Sequence, residues 1–324
     1  MLTQLKTKIS QSVRFKSTRS KSAGLKSTGF KTKALAAVFA AGVLAGCANN
    51  AMQADTALQV DIFNPQEASM FPVSSSFISG EGEVLLVDAQ FQRNDAQTLV
   101  NKIKASGKTL KTVYVSHYDP DFYFGLDLIV DNFPNVKIYT TPSTLKKMKA
   151  LAGRKIAYWG PILKENAPER LVMPEVLKGD TLKVDGQTVK IIGLEGHDPS
   201  HTFLWIPSSK TVTGGVPLYD NMHAWMADNQ TPESRQSWLK TLDMIDALKP
   251  EKIIPGHYLG KSTMDLGTVE RTRAYIKAFE KQAAQATDSK DLVARMTSLY
   301  PTYKGVDGLE LSAKVIMGEM KWPQ

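Results

Sequence analysis

Apolar residues recur at helical spacing over Asn94–Ser106, where Ala96, Leu99, Val100 and Ile103 share one face and Gly107 follows. That spacing predicts a helix ended by the glycine. Ahead of it the pattern shortens. Leu58–Phe63, Phe71–Ser79 and Val84–Asp88 are brief β-rich runs, separated by Asn64-Pro65 and by Gly80-Glu81-Gly82. Both separators carry turn chemistry. Thr112–Val115 reads as a buried strand leading into the polar loop Ser116–Asp121. Next come a helix over Gly125–Phe133, a strand over Val136–Thr140 and a helix over Ser143–Ala152.

A second set of short strands is expected at Val189–Leu194, Phe203–Ile206 and Thr211–Thr213. Pro232–Leu248 reads as a helix with Thr231 as its N-cap, because a hydroxyl there accepts from the first-turn amides and proline suits the first helical position. Lys252–Ile254 is a last short strand, and the chain from about residue 262 is mostly helical. Strands at the ends of each half with helices between them predict two packed sheets covered by helices on their outer faces.

Only the beginning of the chain departs from this alternation. Residues 1–46 hold nine basic residues and no acid, ending in an apolar run from Ala34 to Gly46. Thirteen residues are too few to cross a bilayer, which needs about 20, but they suit the core of an export signal. The only cysteine, Cys47, follows directly in Leu44-Ala45-Gly46-Cys47. This stretch resembles a bacterial lipobox, which implies cleavage before Cys47 and a lipid on it. The expected organisation is therefore a signal peptide at 1–46, a polar tether at 47–56 and one domain at 57–324. Ala48 carries no retention aspartate, so the periplasmic side of an outer membrane is the expected location.

Charge changes the picture in one respect. The net charge of +8 would suggest an anionic partner, but removing the leader's nine bases leaves 31 basic against 32 acidic residues. No nucleic-acid partner is expected. A single cysteine also excludes a disulfide framework, so the domain must be held by its core.

The chemistry is concentrated in five histidines, His117, His197, His201, His223 and His257, each near the end of an expected strand. Functional side chains gather where loops leave a rigid sheet. Three clusters stand out: Ser116-His117-Tyr118-Asp119-Pro120-Asp121-Phe122, Gly196-His197-Asp198-Pro199-Ser200-His201 and Pro255-Gly256-His257. Imidazole and carboxylate together suit zinc, iron or manganese. His223 has two open readings, a donor reaching the cleft or a ring packed beside Trp225. No glycine-rich phosphate loop and no Gly-x-Ser-x-Gly nucleophile elbow occurs.

A strand followed by His-x-x-x-Asp, then Gly-His-x-Pro, then Pro-Gly-His resembles the metallo-β-lactamase fold superfamily over roughly residues 58–260. The resemblance implies an α/β fold, an αββα four-layer sandwich, here with extra C-terminal helices. Its usual first motif, His-x-His-x-Asp-His, is altered. Asp119 stands at the second histidine, Phe122 at the last, and Gly215 where a metal-bridging aspartate is usual. Carried over residue by residue, the implied ligands are His117, Asp119, Asp121, His197 and His257. His117, Asp119 and His197 would complete one site, whereas Asp121 and His257 alone would make a weak second one. His201 is implied to be an orienting or structural residue.

The function this implies is a metal-dependent hydrolase of a small ester, lactone or amide, with Asp121 accepting a proton from the attacking water. One zinc is expected, with iron or manganese as the other metals the donor set suits. Two alternatives stand beside it: a non-catalytic lipoprotein that binds a ligand or partner in the cleft, and an iron-dependent oxidoreductase. The sequence does not specify the substrate or the oligomeric state.

Overall fold

In the computed structural model, residues 56–194 and 202–322 are described, all within the compact unit Gln53–Gln324. The expected signal peptide and Cys47 lie outside the described residues. Among those described, no helix is long and apolar enough to cross a membrane.

The first sheet runs β1 (Gln59–Phe63), β2 (Ser75–Ser79), β3 (Glu83–Val87), β4 (Thr109–Tyr114), β5 (Lys137–Thr140) and β6 (Glu175–Val176), in that spatial order. β1, β2 and β3 pair antiparallel, and β3 to β6 pair parallel. Parallel strands need crossovers, here supplied by α1 (Arg93–Ser106), α2 (Leu126–Asn132) and α3 (Pro142–Leu163). The second sheet holds β7 (Thr181–Val184), β8 (Gln187–Ile192), β9 (Phe203–Ile206), β10 (Thr211–Thr213) and β12 (Lys252–Ile253), ordered β12-β10-β9-β8-β7. A parallel pair, β11 (Tyr219–Asp220) with β13 (His257–Tyr258), stands apart. α4 (Pro232–Ala247), α5 (Leu266–Ala283), α6 (Ser289–Leu299) and α7 (Val306–Ile316) complete the chain.

Alternation along the strands builds the layers, since successive strand residues face opposite sides of a sheet. Leu85 and Val87 join Ile78 and Tyr114 against Leu182, Val189, Ile191, Leu204 and Ile206, forming the core between the sheets. Their neighbours Val84, Leu86, Val113 and Val115 turn the other way, onto Leu99, Val100 and Ile103 of α1. In the second sheet Phe203 and Val212 face the helical side with Trp238 and Leu242 of α4. The result is the expected sandwich of helices, two sheets and helices.

Three expectations change in detail. The strand foreseen over Phe71–Ser79 begins only at Ser75. Val73 forms a bridge with His257 and the Ser74 amide donates to Gly256 O at 2.8 Å, so these residues leave the sheet edge to pair with the Pro-Gly-His segment. The helix foreseen over Ser143–Ala152 continues to Leu163, through Gly153 and Pro161. Aromatic docking holds this extra length, with the Trp159 ring 5.4 Å from both Phe71 and Phe91. Finally, β7 was not foreseen. It forms a hairpin with β8 across Asp185-Gly186, both at positive φ (46° and 80°), as a tight two-residue hairpin turn requires.

Candidate metal centre

The loop after β4 is anchored before it carries any chemistry. Asp88, at the end of β3, accepts from the Ser116 amide at 2.7 Å and from the Ser116 hydroxyl at 2.6 Å. The same hydroxyl accepts from the Gly215 amide at 2.7 Å. One buried serine thus ties the His117 loop to the loop after β10. Burial pushes the Asp88 carboxyl up to about 7, although both bonds from Ser116 oppose the shift.

Four of the expected ligands fall into two pairs. His117 is buried, and its Nδ1 lies 3.4 Å from an Asp119 carboxylate oxygen. His257 Nε2 lies 3.3 Å from Asp121 Oδ2. Phe122 stands between the two imidazoles, its ring centre 5.2 Å from that of His117 and 5.6 Å from that of His257. Tyr219 stacks on His257 at 5.2 Å, placed there by the pairing of β11 with β13. Aromatic rings therefore flank both imidazoles, and Phe122 stands where the resemblance implies a further histidine.

Electrostatics follow from that burial. Asp121 is held well above the ordinary carboxylate range, first by burial and then by the neighbouring Asp119 charge. Burial lowers the His257 imidazole to about 4, so it is neutral at neutral pH, the form that binds metal. The Tyr219 hydroxyl is raised well above its usual value, by burial and then by Asp121 and Asp119.

The close approach of backbones explains Gly215. A Cβ at Gly215 would lie 2.2 Å from Thr202 O, and its φ of 72° already disfavours other residues. Gly256 packs against it so tightly that a Cβ there would lie 2.0 Å from Gly215 O. Gly214, Gly215 and Val216 offer no side-chain donor, so a bridging carboxylate has no place in this loop.

His197 and His201 lie outside the described residues. His223 is buried against the C-terminal helical part. Its Nδ1 is 3.0 Å from the Tyr275 hydroxyl, and its ring contacts those of Tyr275 and Tyr303 in the C-terminal helical part. Trp225 instead packs edge-on against Trp322. Burial lowers the His223 imidazole to about 4.

One residue was missed altogether. The Lys155 ammonium, on the extended half of α3, makes an ion pair directly with Asp119. Burial works against its charge, but the carboxylates of Asp119, Asp228 and Asp121 together outweigh it, and the lysine is held above its usual value. A sequence signal was present. Met148, Ala152, Lys155 and Trp159 fall at helical spacing on one face, so Lys155 is a single charge in an apolar stripe. A charge in such a place needs a partner.

The donors suit a metal in kind, two imidazoles and two carboxylates in two pairs with Phe122 beside both rings. Among the described residues no group of three or more His, Cys, Asp or Glu side chains is arranged to hold an ion.

A four-layer sandwich with histidines and aspartates at its strand ends defines a class of metal-dependent enzymes, and the comparisons agree. Residues 69–257, more than half the chain, match the Metallo-beta-lactamase superfamily, and the chain belongs to it. A metallo-beta-lactamase type 2 of Bacteroides fragilis is 26% identical over 196 residues, which are 58% of this chain and 70% of that protein. A metallo-beta-lactamase family protein from Thermus thermophilus superposes with a TM-score of 0.55 at 15% identity, covering 80% of this chain and 93% of that one. A metallo-beta-lactamase from Pontibacter korlensis gives 0.49 at 17% identity, over 68% and 99% of the two chains. Membership of this superfamily points to metal-dependent hydrolysis as the class of chemistry.

Proposed function

We propose that the chain is a metal-dependent hydrolase of a small ester, lactone or amide, anchored to a membrane by a lipid on Cys47. The observation that carries the reading is the pair of imidazole–carboxylate contacts, His117 with Asp119 and His257 with Asp121, on either side of the Phe122 ring. His117, Asp119 and His197 would hold one ion, zinc in preference to iron or manganese. When bound, such an ion supplies Lewis acidity and lowers the pKa of water to about 7.

The chain's own residues do the rest. Asp121 accepts the proton of the attacking water at a carboxylate oxygen, and its raised affinity for protons suits it to keep one. His257 holds Asp121 from the other side. Phe122, Tyr118 and Tyr219 exclude water and favour an apolar substrate over a strongly charged one. With no donor at 122 or 215, a second ion would have only Asp121 and His257, too few for a firm site.

The test is hydrolysis of short-chain esters, lactones and amides by the zinc-supplied protein. Activity lost in both His117→Ala and Asp121→Asn supports the reading, and activity kept in either variant contradicts it. A second reading is favoured by one observation. The Lys155–Asp119 pair already neutralises a proposed ligand, as a cleft kept for binding rather than catalysis would allow. That reading predicts a folded protein that takes up no metal.

A further inference from the structure

The outer side of α3 is not what water alone would select. From Pro142 to Leu163 the helix carries five bases, Lys146, Lys147, Lys149, Arg154 and Lys155, and no acid. Lys155 is engaged with Asp119, and Lys147 lies over the Tyr118 ring. Lys146, Lys149 and Arg154 are exposed and have no acidic partner among the described residues. Elsewhere surface bases do find acids, as Lys111 does with Glu83, Arg170 with Asp131 and Lys210 with Glu251. A positive face without counter-charges attracts an anionic surface.

Residues four apart lie one above another on a helix, and one such exposed row runs Lys146, Ala150, Arg154, Tyr158, Ile162. It begins basic and ends apolar. Tyr158 is 63% exposed and Ile162 44%, on the side where a water-facing helix carries polar residues. Met70 joins them from the loop before β2, also 44% exposed. Its neighbour Phe71 packs on Trp159, which meets the Tyr158 ring edge-on at 4.8 Å. Six large apolar side chains are exposed among the described residues, and three of them gather here around Trp159. The inner face has no room for them, being filled by Met148, Ala152 and Leu163 in the core.

We propose that this face of α3, with Met70, rests on an anionic phospholipid surface. Lys146, Lys149 and Arg154 meet head-group phosphates, while Tyr158, Ile162 and Met70 enter the boundary between head groups and acyl chains. A tyrosine suits that boundary, with an apolar ring and a polar tip. A purely charged partner leaves three apolar side chains in water, and a purely apolar one leaves three bases without counter-charge. A phospholipid surface takes both. The contact goes beyond the hydrolase reading and is separate from a lipid on Cys47. It orients the domain, turning the helix that holds Lys155 against Asp119 towards the membrane.

The experiment uses the full chain with Cys47→Ser, which removes the expected lipid attachment and the only thiol. In this background Tyr158→Cys carries an environment-sensitive fluorophore, and Gln236→Cys on α4 serves as control. The probes are vesicles of phosphatidylglycerol with phosphatidylethanolamine, and vesicles of phosphatidylcholine alone, both at low salt. Emission from position 158 should shift to the blue with the anionic vesicles only, and emission from position 236 with neither. Whichever segment brings the protein to the vesicle, the label reports whether this face meets lipid. Lys146→Gln, Lys149→Gln and Arg154→Gln together should remove most of the shift, since each base near the surface is worth about fivefold in affinity. If Tyr158→Cys does not fold, Ile162→Cys takes the measurement with the same expectation. No shift at 158, an equal shift at 236 or with phosphatidylcholine, or a shift kept by the glutamine variant overturns the proposal. A shift that grows with protein concentration in the absence of vesicles assigns the face to a second copy of the chain and overturns it too. None of these outcomes touches the hydrolase reading, which ester, lactone and amide hydrolysis tests separately.

Discussion

Asp88 and Ser116 are joined by two hydrogen bonds, from the amide at 2.7 Å and from the hydroxyl at 2.6 Å. Through them the end of β3 fixes where the His117 loop begins. The carboxyl is fully buried and titrates at about 7, against about 4 in an unfolded chain. Folding therefore binds a proton. The stability this gives is complete below about pH 4 and is lost as pH rises through 7. Asp88→Asn cannot titrate. Urea unfolding in chelator at pH 4.5 and pH 7.5 should show the wild type's advantage over this variant shrinking as pH rises, by about 3 kcal/mol.

His257 acts with the opposite sign in an overlapping window. Its folded value of about 4 lies below the unfolded value of about 6.5. Its contribution is present above pH 6.5 and is lost as pH falls towards 4. In the same unfolding experiment the wild type's advantage over His257→Asn should shrink on acidification, by up to about 3 kcal/mol. An advantage that grows on acidification contradicts the assignment of a buried neutral imidazole.

The bridging position cannot be refilled. Gly215→Asp must place a Cβ 2.2 Å from Thr202 O at a φ of 72°. Destabilisation of about 3 kcal/mol or more is expected, with no gain in metal stoichiometry. Calorimetric melting and metal analysis on the purified variant check both parts.

Phe122 is different, because its ring already lies between those of His117 and His257. Phe122→His should add a donor beside Asp121 and His257, raising affinity for a second zinc at least about tenfold. Loss of apolar packing should cost about 1–3 kcal/mol in the metal-free protein. A zinc titration that shows one weak and one strong class of site in the variant, and a single class in wild type, is the expected result.

Much of the fold was legible because strand and helix periods differ. Ala96, Leu99, Val100 and Ile103 faced inward as their spacing predicted, and the helix ended at Gly107 in a left-handed conformation. Thr231 capped α4 as expected, its side chain accepting from the Ser234 amide. What escaped depended on partners far away in sequence. The late start of the strand, at Ser75, follows from pairing of Val73 with His257, a contact no local pattern contains. The hairpin at Asp185-Gly186 had its turn signal in plain view, but β7 is only four residues long.

The site divides in the same way. His117, Asp119, Asp121 and His257 were visible as donors at strand ends, and the fold sets them in two pairs, His117 with Asp119 and His257 with Asp121. Lys155 was not, because the helix was expected to end at Ala152, before the lysine could be placed on its buried face. The partner of His223 is Tyr275 on α5, a helix whose docking could not be read from the residues around His223.

Metal content per chain tests the central claim most directly. The full chain, purified and then supplied with zinc, should retain about one equivalent by elemental analysis after removal of loosely bound ion. His117→Ala should retain far less. Retention of no zinc by wild type, or equal retention by His117→Ala, contradicts a metal centre built on His117 and Asp119.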